Sequence, residues 1–430
     1  MKKSIALIDC NSFYCSCERL FRPELNNKAI VVLSNNDGCA ISRTAEAKRL
    51  GIKMGEPFFK FKNLINQNKL FVFSSNFALY TDISKRVMLT IASHSPEIEV
   101  YSVDEAFADF TGIQNLSEHA HFIKNKIMQD TGIPVGVGIG PTKVLAKVAN
   151  HLAKKSLIAN GVVNLTEQKF IDIALKRIPI EDVWGIGRAS SQKLINLGIK
   201  NGYDFCYYKN EEVILKTLSK TGLQIKHELM GINCFGLNEK IETKKEIMCS
   251  RTFGVSLSTK DQLKESIANY ICDAAEKLRK QNSLCSELNV FARTNPFNEK
   301  SQYFMFERLK LINPTCDSRK LISEASRLVE KGYKEGFEYK KAGIKLSSFN
   351  ESTELQLDMF QEGDSFKSLK LMETMDKINY IEGKGSIQLG ACGLIDHAWR
   401  MNRNHKSPRY TTSWNDLKLF NANEITLKKN

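Results

Sequence analysis

The sequence predicts an α+β fold divided into several domains, and three regions of its pattern lead to this prediction. Over about the first 165 residues, short apolar runs alternate with helical patterns, which predicts an α/β layer. From about 167 to 232 the pattern is helical with short loops, and the polar stretch LNEKIETKKE (237–246) that follows is typical of a linker. Strand and helix patterns then return. A chain of 430 residues is long enough for several domains of ordinary size.

The individual elements follow from the spacing of apolar residues. The runs SIALI (4–8), KAIVVLS (28–34) and PVGVGIG (134–140) predict buried strands, and a helical spacing between Asn76 and Ala92 predicts a packed helix. EIEVYS and AFADFTG are interpreted as two strands, followed by a helix near 117–130. Beyond the linker we expect strands at SRTFGVSLS and SELNVFART, and helices near 262–280 and 317–332. Residues 350–430 have little strand signal and predict a tail with its own binding elements.

Composition narrows the class of protein. Lys and Arg total 62 against 48 Asp and Glu, and the net charge of +14 indicates a polyanionic partner. No apolar stretch approaches the roughly 20 residues that span a bilayer, which favours nucleic acid over a membrane. The 11 cysteines form no CxxC pair and the 7 histidines no HExxH motif, which argues against a zinc site and a disulfide framework. We therefore expect a cytoplasmic protein, nucleoid-associated when acting, and any metal to be oxygen-ligated.

Two adjacent acids, Asp104 and Glu105, interrupt the otherwise strand-like stretch YSVDEAFADF (101–110). Neighbouring side chains of a regular strand point to opposite faces, so both acids reach one ion only if the chain turns at Val103 and Asp104. They can then converge beside Asp9, which ends its own strand. Three carboxylates in this arrangement predict two Mg²⁺ ions and phosphoryl or nucleotidyl transfer. The alternative, acids solvated at a turn, is the commoner case for a DE pair alone.

Two further segments combine glycine with positive charge. CAISRTAEAKRLGIKMGEPFF (39–59) carries a cluster of cations suited to a triphosphate, although a solvated helix face is the commoner reading: Arg43, Lys48, Arg49 and Lys53. GVGIGPTKVLAKVANHLAKK (136–155) fits neither GxxxxGK[ST] nor GxGxxG, because Pro141 stands where the third glycine belongs. Its glycines predict a closely packed strand. Its lysines predict positive charge on the next helix: Lys143, Lys147 and Lys154.

Two short motifs suggest binding to partners. In VWGIGRASSQKL, Gly185 and Gly187 lie between helices, where backbone N–H groups can approach a DNA phosphate. An ordinary helix–helix turn with glycine caps is an equal alternative. QLDMF (356–360) is a short apolar anchor in a polar segment, suited to a partner's groove, although contact with its own domain is the commoner case.

Taken together, these motifs resemble the Y-family of translesion DNA polymerases, and closely the UmuC type, over essentially the whole chain. The most specific pieces are IDCNSFYCSCERLFRPEL, NNDGCAISRTAEAKRLGIKMGEPFF, YSVDEAFAD, PTKVLAKVANHLAKK and SPRYTTSWNDL. The resemblance implies a right-hand polymerase with a helical thumb that carries a helix-hairpin-helix. Its parts are a palm (1–34 and 76–166), fingers (35–75), a thumb (167–232), a linker (233–246), a little finger (247–349) and a C-terminal tail with a clamp-binding motif and a UmuC-type segment (350–430).

The resemblance also implies roles for single residues. Asp9, Asp104 and Glu105 match the catalytic metal-binding carboxylates, with the backbone carbonyl of Cys10 as a further ligand. Tyr14 matches the steric gate that excludes a 2′-hydroxyl. Phe13 lines the same floor or packs in the core.

The nucleotide- and DNA-binding residues follow in the same way. Lys48, Lys154 and Arg43 are the expected triphosphate contacts, and the chain departs from the family at Ala45, where many relatives carry tyrosine, and at Lys48, where many carry arginine. Because Lys lacks a bidentate fork, a looser grip on the dNTP is expected. Arg251 is a candidate DNA phosphate contact, in addition to the backbone of Gly185 and Gly187.

The tail carries the expected partner contacts. Its clamp-binding residues are Gln356, Leu357, Asp358, Met359 and Phe360. The implied partners are primer-template DNA, a sliding clamp, a processed UmuD-type dimer and a recombinase filament.

The implied function is error-prone, template-directed translesion DNA synthesis in the SOS response, without proofreading. Two alternatives remain at this point: a palm-type nucleotidyl cyclase, and a non-catalytic, clamp-tethered DNA-binding protein. The net charge of +14 and the long part of the chain that the resemblance assigns to DNA binding argue against the cyclase, because a cyclase does not need to hold a duplex. All of the expected site residues are present, which argues against a scaffold that has lost its activity.

Overall fold

The computed structural model describes residues 3–237, 243–351, 364–393, 401–411 and 413–416. These residues divide into two units, the first formed by residues 1–241 with 404–430 and the second by residues 242–403. The first unit is therefore discontinuous in sequence. None of the helices within the described ranges is long and apolar enough to cross a membrane.

The first unit combines two sheets with a series of helices. Its strands are β1 (Ile5–Cys10), β2 (Ile30–Leu33), β3 (Ala40–Arg43), β4 (Phe71–Ser74), β5 (Ile98–Val100), β6 (Glu105–Asp109), β7 (Val135–Gly140) and β8 (Val162–Asn164). Its α-helices are α1 (Phe13–Leu20), α2 (Ala45–Arg49), α3 (Asn63–Asn66), α4 (Phe77–Ala92), α5 (Leu116–Thr131), α6 (Lys143–Lys155), α7 (Gln168–Arg177), α8 (Arg188–Asn196), α9 (Gly202–Cys206) and α10 (Glu211–Leu229). Short 3₁₀ turns lie at Pro23–Leu25, Asn35–Asp37, Phe58–Lys60, Ile180–Asp182 and Trp414–Asp416.

The larger sheet has the strand order β5-β6-β1-β7-β8. Strand β1 pairs antiparallel with both β6 and β7, and only the β7–β8 pair is parallel. Strands and helices alternate along the chain as expected, but the layer is mostly antiparallel because β1 runs opposite to both of its neighbours. A smaller sheet has the order β3-β2-β4, with β2 antiparallel to β3 and parallel to β4.

The two faces of β1 serve different cores. Ala6, Ile8 and Cys10 join a cluster built with α1, α4 and α5. Ile5 and Leu7 lie on the opposite face, in a cluster that includes Ala146 of α6. Because side chains alternate along a strand, the next odd-numbered residue of β1 also belongs to the face covered by α6.

Helix α6 packs directly on the backbone of β7. A Cβ atom added at Gly138 would fall inside van der Waals contact with the backbone N of Asn150 and the carbonyl of Ala146. The prediction that the glycines of GVGIG serve close packing is therefore confirmed at Gly138. The close approach fixes the distance between α6 and the end of β1.

The helices α7 to α10 pack around a core that includes Leu175, Leu194 and Ile225 and that they share with Val144 and Leu145 of α6. The connection from Ile180–Asp182 to α8 contains Gly185 at φ +87°, a left-handed conformation that favours glycine. Gly187 is the N-cap of α8.

The second unit is a four-stranded sheet with helices packed on it. Its elements are β9 (Ile247–Leu257), α11 (Lys260–Lys280), β10 (Ser283–Thr294), β11 (Phe304–Thr315), α12 (Ser318–Gly332), β12 (Tyr339–Glu351), α13 (Phe366–Ile381) and a 3₁₀ turn at Gly390–Cys392. The order is β11-β10-β12-β9 and every pair is antiparallel. The expected helices near 262–280 and 317–332 are confirmed as α11 and α12. Helix α13 is attached by Arg279, whose Nε and Nη2 donate to Asp376 at 2.7 and 2.8 Å.

Candidate active site

The β5–β6 hairpin and the end of β1 bring the acids of the sequence analysis together. Strand β5 pairs antiparallel with β6, as the sequence predicts, and the turn between them contains Asp104. Asp9 lies directly opposite Glu105 in the β1–β6 pairing, so both side chains belong to the same face. The backbone N–H of Cys10 donates to the carbonyl of Asp104 at 2.8 Å. The three acids therefore lie at one end of the sheet.

Ser102 orders the turn that carries two of these acids. Its Oγ donates to Oδ1 of Asp104 at 2.6 Å and accepts from the backbone N–H of Asp104 at 3.3 Å and of Glu105 at 3.1 Å. One hydroxyl therefore holds both the backbone and one carboxylate of the turn.

Two lysines of α6 balance the charge of the acids. Lys154 Nζ lies 2.6 Å from Oδ1 of Asp9, and Lys147 Nζ lies 2.9 and 3.1 Å from the two carboxylate oxygens of Glu105. Burial raises the pKa of Asp9 above its usual value, Lys154 opposes this, and the charges of Glu105 and Asp104 add to the rise. The ammonium group of Lys154 thus favours the ionised form of Asp9, against the effect of burial.

Lys147 is a site residue that the sequence analysis did not assign. Its Nζ lies 4.4 Å from the ring centroid of Tyr101 and 5.2 Å from that of Trp184. The indole N–H of Trp184 donates to the hydroxyl of Tyr101 at 3.3 Å. The ammonium group thus sits between aromatic faces and the carboxylate of Glu105, a position in which both attract it.

The chemistry of the donor set fits a hard divalent cation. The candidate ligands are the carboxylates of Asp9, Asp104 and Glu105 and the backbone carbonyl of Cys10, all oxygen donors of the kind that Mg²⁺ prefers. Within the described ranges, no group of three or more His, Cys, Asp or Glu side chains is gathered tightly enough to hold a metal ion. The two lysine ammonium groups provide the positive charge in this arrangement.

Tyr14 lies beside the acids. Its ring stacks on Tyr80 at a centroid distance of 4.6 Å and meets Phe77 edge-on at 5.9 Å. Burial raises the pKa of Tyr14, and the charge of Asp104 contributes to the rise, so the Tyr14 hydroxyl is in the field of that carboxylate. Phe13 is 3% exposed and belongs to the core, whereas Tyr14 is half-buried.

The predicted triphosphate contacts other than Lys154 lie on β3 and α2. Arg43 ends β3, and its Nη1 donates to the carbonyl of Ile52 at 2.6 Å. Lys48 and Ala45 are exposed on α2. In the part of the chain that the structure describes, neither Arg43 nor Lys48 forms an ion pair with the three acids.

The predicted DNA contacts are in separate elements. Gly187 has open space where a Cβ would be, so its backbone is accessible. Arg251 is in β9 of the second unit, and its Nη1 donates to the carbonyl of Ser250 at 2.9 Å. The predicted clamp-binding residues 356–360 lie outside the described residues.

Three family models match this chain. The impB/mucB/samB family model matches residues 8–151, and the model of its C-terminal domain matches residues 244–359. A model described as a domain of unknown function (DUF4113) matches residues 369–418. The first match contains all three acids and Lys147, whereas Lys154 lies just beyond its end.

Curated proteins and solved structures agree with these matches. Protein UmuC of Salmonella typhimurium is 41% identical over 418 residues, which cover 96% of this chain and 99% of UmuC. Protein MucB of Escherichia coli is 36% identical over 419 residues (96% and 99%), and DNA polymerase IV 1 of Bacillus subtilis is 25% identical over 393 residues (89% and 92%).

Among solved structures, a Y-family DNA polymerase chimera of Dbh and Dpo4 covers 81% of this chain and 100% of its own, with a TM-score of 0.65 and 22% identity. A Dbh ternary complex has a TM-score of 0.54 and 22% identity, covering 80% of this chain and 98% of its own. These likenesses establish the fold. The chain belongs to the impB/mucB/samB family and is a UmuC-type DNA polymerase of the Y family.

Proposed function

We propose that Asp9, Asp104 and Glu105 hold two Mg²⁺ ions for nucleotidyl transfer from a dNTP to a primer 3′ end. The observation that carries this proposal is the direct opposition of Asp9 and Glu105 across β1 and β6, with Asp104 joined to the same strand end through the N–H of Cys10. When bound, the ions activate the 3′-hydroxyl and neutralise charge on the triphosphate. The carbonyl of Cys10 completes the proposed ligand set.

The lysines of α6 are proposed to support the acids and the triphosphate. Lys154 pairs with Asp9, and Lys147 pairs with Glu105. Lys154 would supply positive charge for the triphosphate of a bound dNTP, in keeping with the strength of charge-assisted contacts to phosphate. Lys48 and Arg43 add further positive charge for the same ligand. Lys147 stays between its aromatic neighbours and keeps Glu105 in place.

Tyr14 is proposed as the steric gate, with Phe13 beneath it. An aromatic ring below the sugar leaves no room for a 2′-hydroxyl, and the stacking of Tyr14 on Tyr80 gives that ring a fixed position. The proximity of Tyr14 to the charge of Asp104 supports a place next to the reacting nucleotide.

The remaining contacts follow the family. Gly185, Gly187 and Arg251 are proposed to contact the DNA backbone, and residues 356–360 to bind a sliding clamp. A processed UmuD-type dimer and a recombinase filament are proposed as further partners, in the cytoplasm. The reaction is error-prone translesion synthesis within the SOS response, and family membership favours it over a nucleotidyl cyclase or a non-catalytic scaffold.

The direct test is primer extension with Mg²⁺ across an abasic template by the Asp104→Ala variant. Loss of a metal ligand removes several kcal/mol of transition-state stabilisation, so synthesis should fall by about 10³-fold or more while DNA binding persists. Asp130→Ala is the matched control, because Asp130 pairs with Lys126 on the surface of α5. Near-normal synthesis by Asp104→Ala would rule out the two-metal assignment.

A further inference from the structure

Residues 404–410, here called the C-terminal strap, lie against the first unit. Ser74 and Lys406 form a parallel β-bridge beside β4, and the N–H of Ser74 donates to the carbonyl of His405 at 2.9 Å. The N–H of His405 donates in turn to Oγ of Ser74 at 2.9 Å. The N–H of Asn404 donates to Oδ2 of Asp37 at 2.8 Å. The strap therefore extends the edge of the smaller sheet.

Aromatic and amide contacts seat the strap on the larger sheet's helices as well. Tyr410 stacks on Phe21 with centroids 4.5 Å apart and planes at 10°. Nδ2 of the buried Asn76, at the start of α4, donates to the carbonyl and Oγ of Ser407 at 3.2 and 3.0 Å and to the carbonyl of Pro408 at 3.1 Å. The strap thus contacts both the edge of the smaller sheet and the ends of α1 and α4.

The deepest contact of the strap reaches a buried acid. Oε1 of Glu18, on α1, accepts from Oγ of Ser407 at 3.0 Å and from the hydroxyl of Tyr80 at 2.6 Å. Glu18 is 0% exposed, and its Oε2 has no hydrogen-bond partner among the described residues. Burial raises the pKa of Glu18 to about 7. Since a buried carboxyl group is costly without donors, each of these two hydroxyls matters to its position.

Tyr80 connects this acid to the proposed gate. Its hydroxyl is held by Glu18, and its ring stacks on Tyr14 with planes at 19°. The contacts Ser407–Glu18–Tyr80–Tyr14 therefore run without interruption from the strap to the ring proposed to face the sugar. Ser407 lies within the segment matched by the model of unknown function.

We propose that the C-terminal strap is a positioning element for sugar selection, in which Ser407 acts through Glu18 and Tyr80 to hold the ring of Tyr14. This inference rests on the gate role proposed for Tyr14. Ser407, Glu18 and Tyr80 are assigned a role through the Tyr14 ring and not through contact with the nucleotide. They limit the movement of that ring, because a gate discriminates only as well as its position is fixed.

The test is single-nucleotide insertion by the full-length chain, comparing kcat/KM for a dNTP and for the matching rNTP. Ser407→Ala should lower the discrimination between the sugars by roughly 3- to 10-fold, the effect of one lost buried hydrogen bond, while dNTP insertion changes little. Ser413→Ala is the matched control, since the Ser413 hydroxyl donates to Asp416 at 3.2 Å and lies outside the strap.

A second variant separates positioning from general stability. Tyr80→Phe keeps the stacked ring and removes only the hydroxyl that reaches Glu18, so it should reproduce the loss of discrimination even where Ser407→Ala folds poorly. Combining the two should add little to the larger single effect, because both act through Glu18. Fully additive effects, or unchanged sugar discrimination in both single variants, would overturn the proposal.

The Tyr14→Ala variant separates a failure of the gate role proposed for Tyr14 from a failure of the positioning role proposed for the strap. If it changes sugar discrimination and the Ser407 and Tyr80 variants do not, the strap inference fails and the gate remains. If Tyr14→Ala itself leaves discrimination unchanged, the gate role fails and the strap inference falls with it.

Discussion

Tyr14 is less buried than its neighbour Phe13. Phe13 is buried in the core formed by α1, α4 and α5, whereas Tyr14 is half-buried and lies in the field of Asp104. A ring that is held on one side by stacking and open on the other can act as a wall for a ligand. The expectation that Phe13 also lines this floor remains a prediction.

Replacing Tyr14 by alanine should open the space below the sugar. We expect ribonucleotide insertion to rise by roughly 10- to 100-fold relative to deoxynucleotide insertion, the scale of relieving a steric overlap. Competitive primer extension with mixed dNTP and rNTP measures the change.

Tyr14→Phe is the control for this experiment, because it keeps the ring and removes the hydroxyl. Discrimination should be retained in Tyr14→Phe. A loss as large as that of Tyr14→Ala would assign selection to the hydroxyl instead of the ring.

Lys147 and Glu18 differ in how far the sequence alone predicts their positions. Lys143, Lys147, Asn150 and Lys154 are spaced by four, three and four residues, so they share one face of α6. This helical spacing, combined with the position of the acids, is a sequence signal that places Lys147 at the site. Glu18 carries no such signal, because its donors Tyr80 and Ser407 are 62 and 389 residues away in sequence.

At the scale of elements, the hairpin and most helices followed from local patterns. Alternation around a turn predicts the β5–β6 pair, and a helical period predicts α4, since both are set by residues close in sequence. Local patterns do not predict that β1 pairs antiparallel with both β6 and β7. Pairing partners depend on contacts such as Asp9 with Glu105 and Gly136, which no local period specifies.

The contact of α6 with β7 offers a sharp test, because two glycines of one strand differ in their surroundings. Gly138→Ala would force Cβ into the backbone of α6, and we expect a loss of about 3 kcal/mol in the free energy of unfolding. Thermal unfolding of the variant measures the loss.

Gly136→Ala is the matched control in the same strand. Its Cβ would meet Asn150 Nδ2 at 3.5 Å and Lys154 Cγ at 3.6 Å, which are ordinary contacts. Stability should therefore change by less than about 1 kcal/mol. Equal losses in the two variants would contradict the close packing of α6 at Gly138.

At the scale of the whole molecule, the net charge and the proposed clamp-binding motif concern two different partners. The net charge of +14 supplies attraction to DNA that does not depend on sequence and weakens with salt. A motif for a sliding clamp would add a tether, which raises the local concentration of the enzyme at a primer end without any new DNA contact.

Leu357→Ala combined with Phe360→Ala should therefore reduce clamp-stimulated synthesis by roughly 10-fold or more, since apolar anchors dominate docking of short peptides. Synthesis without clamp should be unchanged. Primer extension with and without a loaded clamp measures both, and Glu354→Ala serves as the control just outside the motif. Full stimulation of the double variant would exclude QLDMF as the tether.

The discontinuity of the first unit has a consequence for how the enzyme is made. Synthesis from the N-terminus completes β1, the hairpin and α6 long before the strap, which follows the entire second unit in sequence. At about 5 to 20 residues per second, the delay is on the order of tens of seconds. During that interval the nascent chain already carries its acids but has only Tyr80 to satisfy Glu18. In this polymerase, residues made after the second unit complete the packing of a helix made at the start of synthesis.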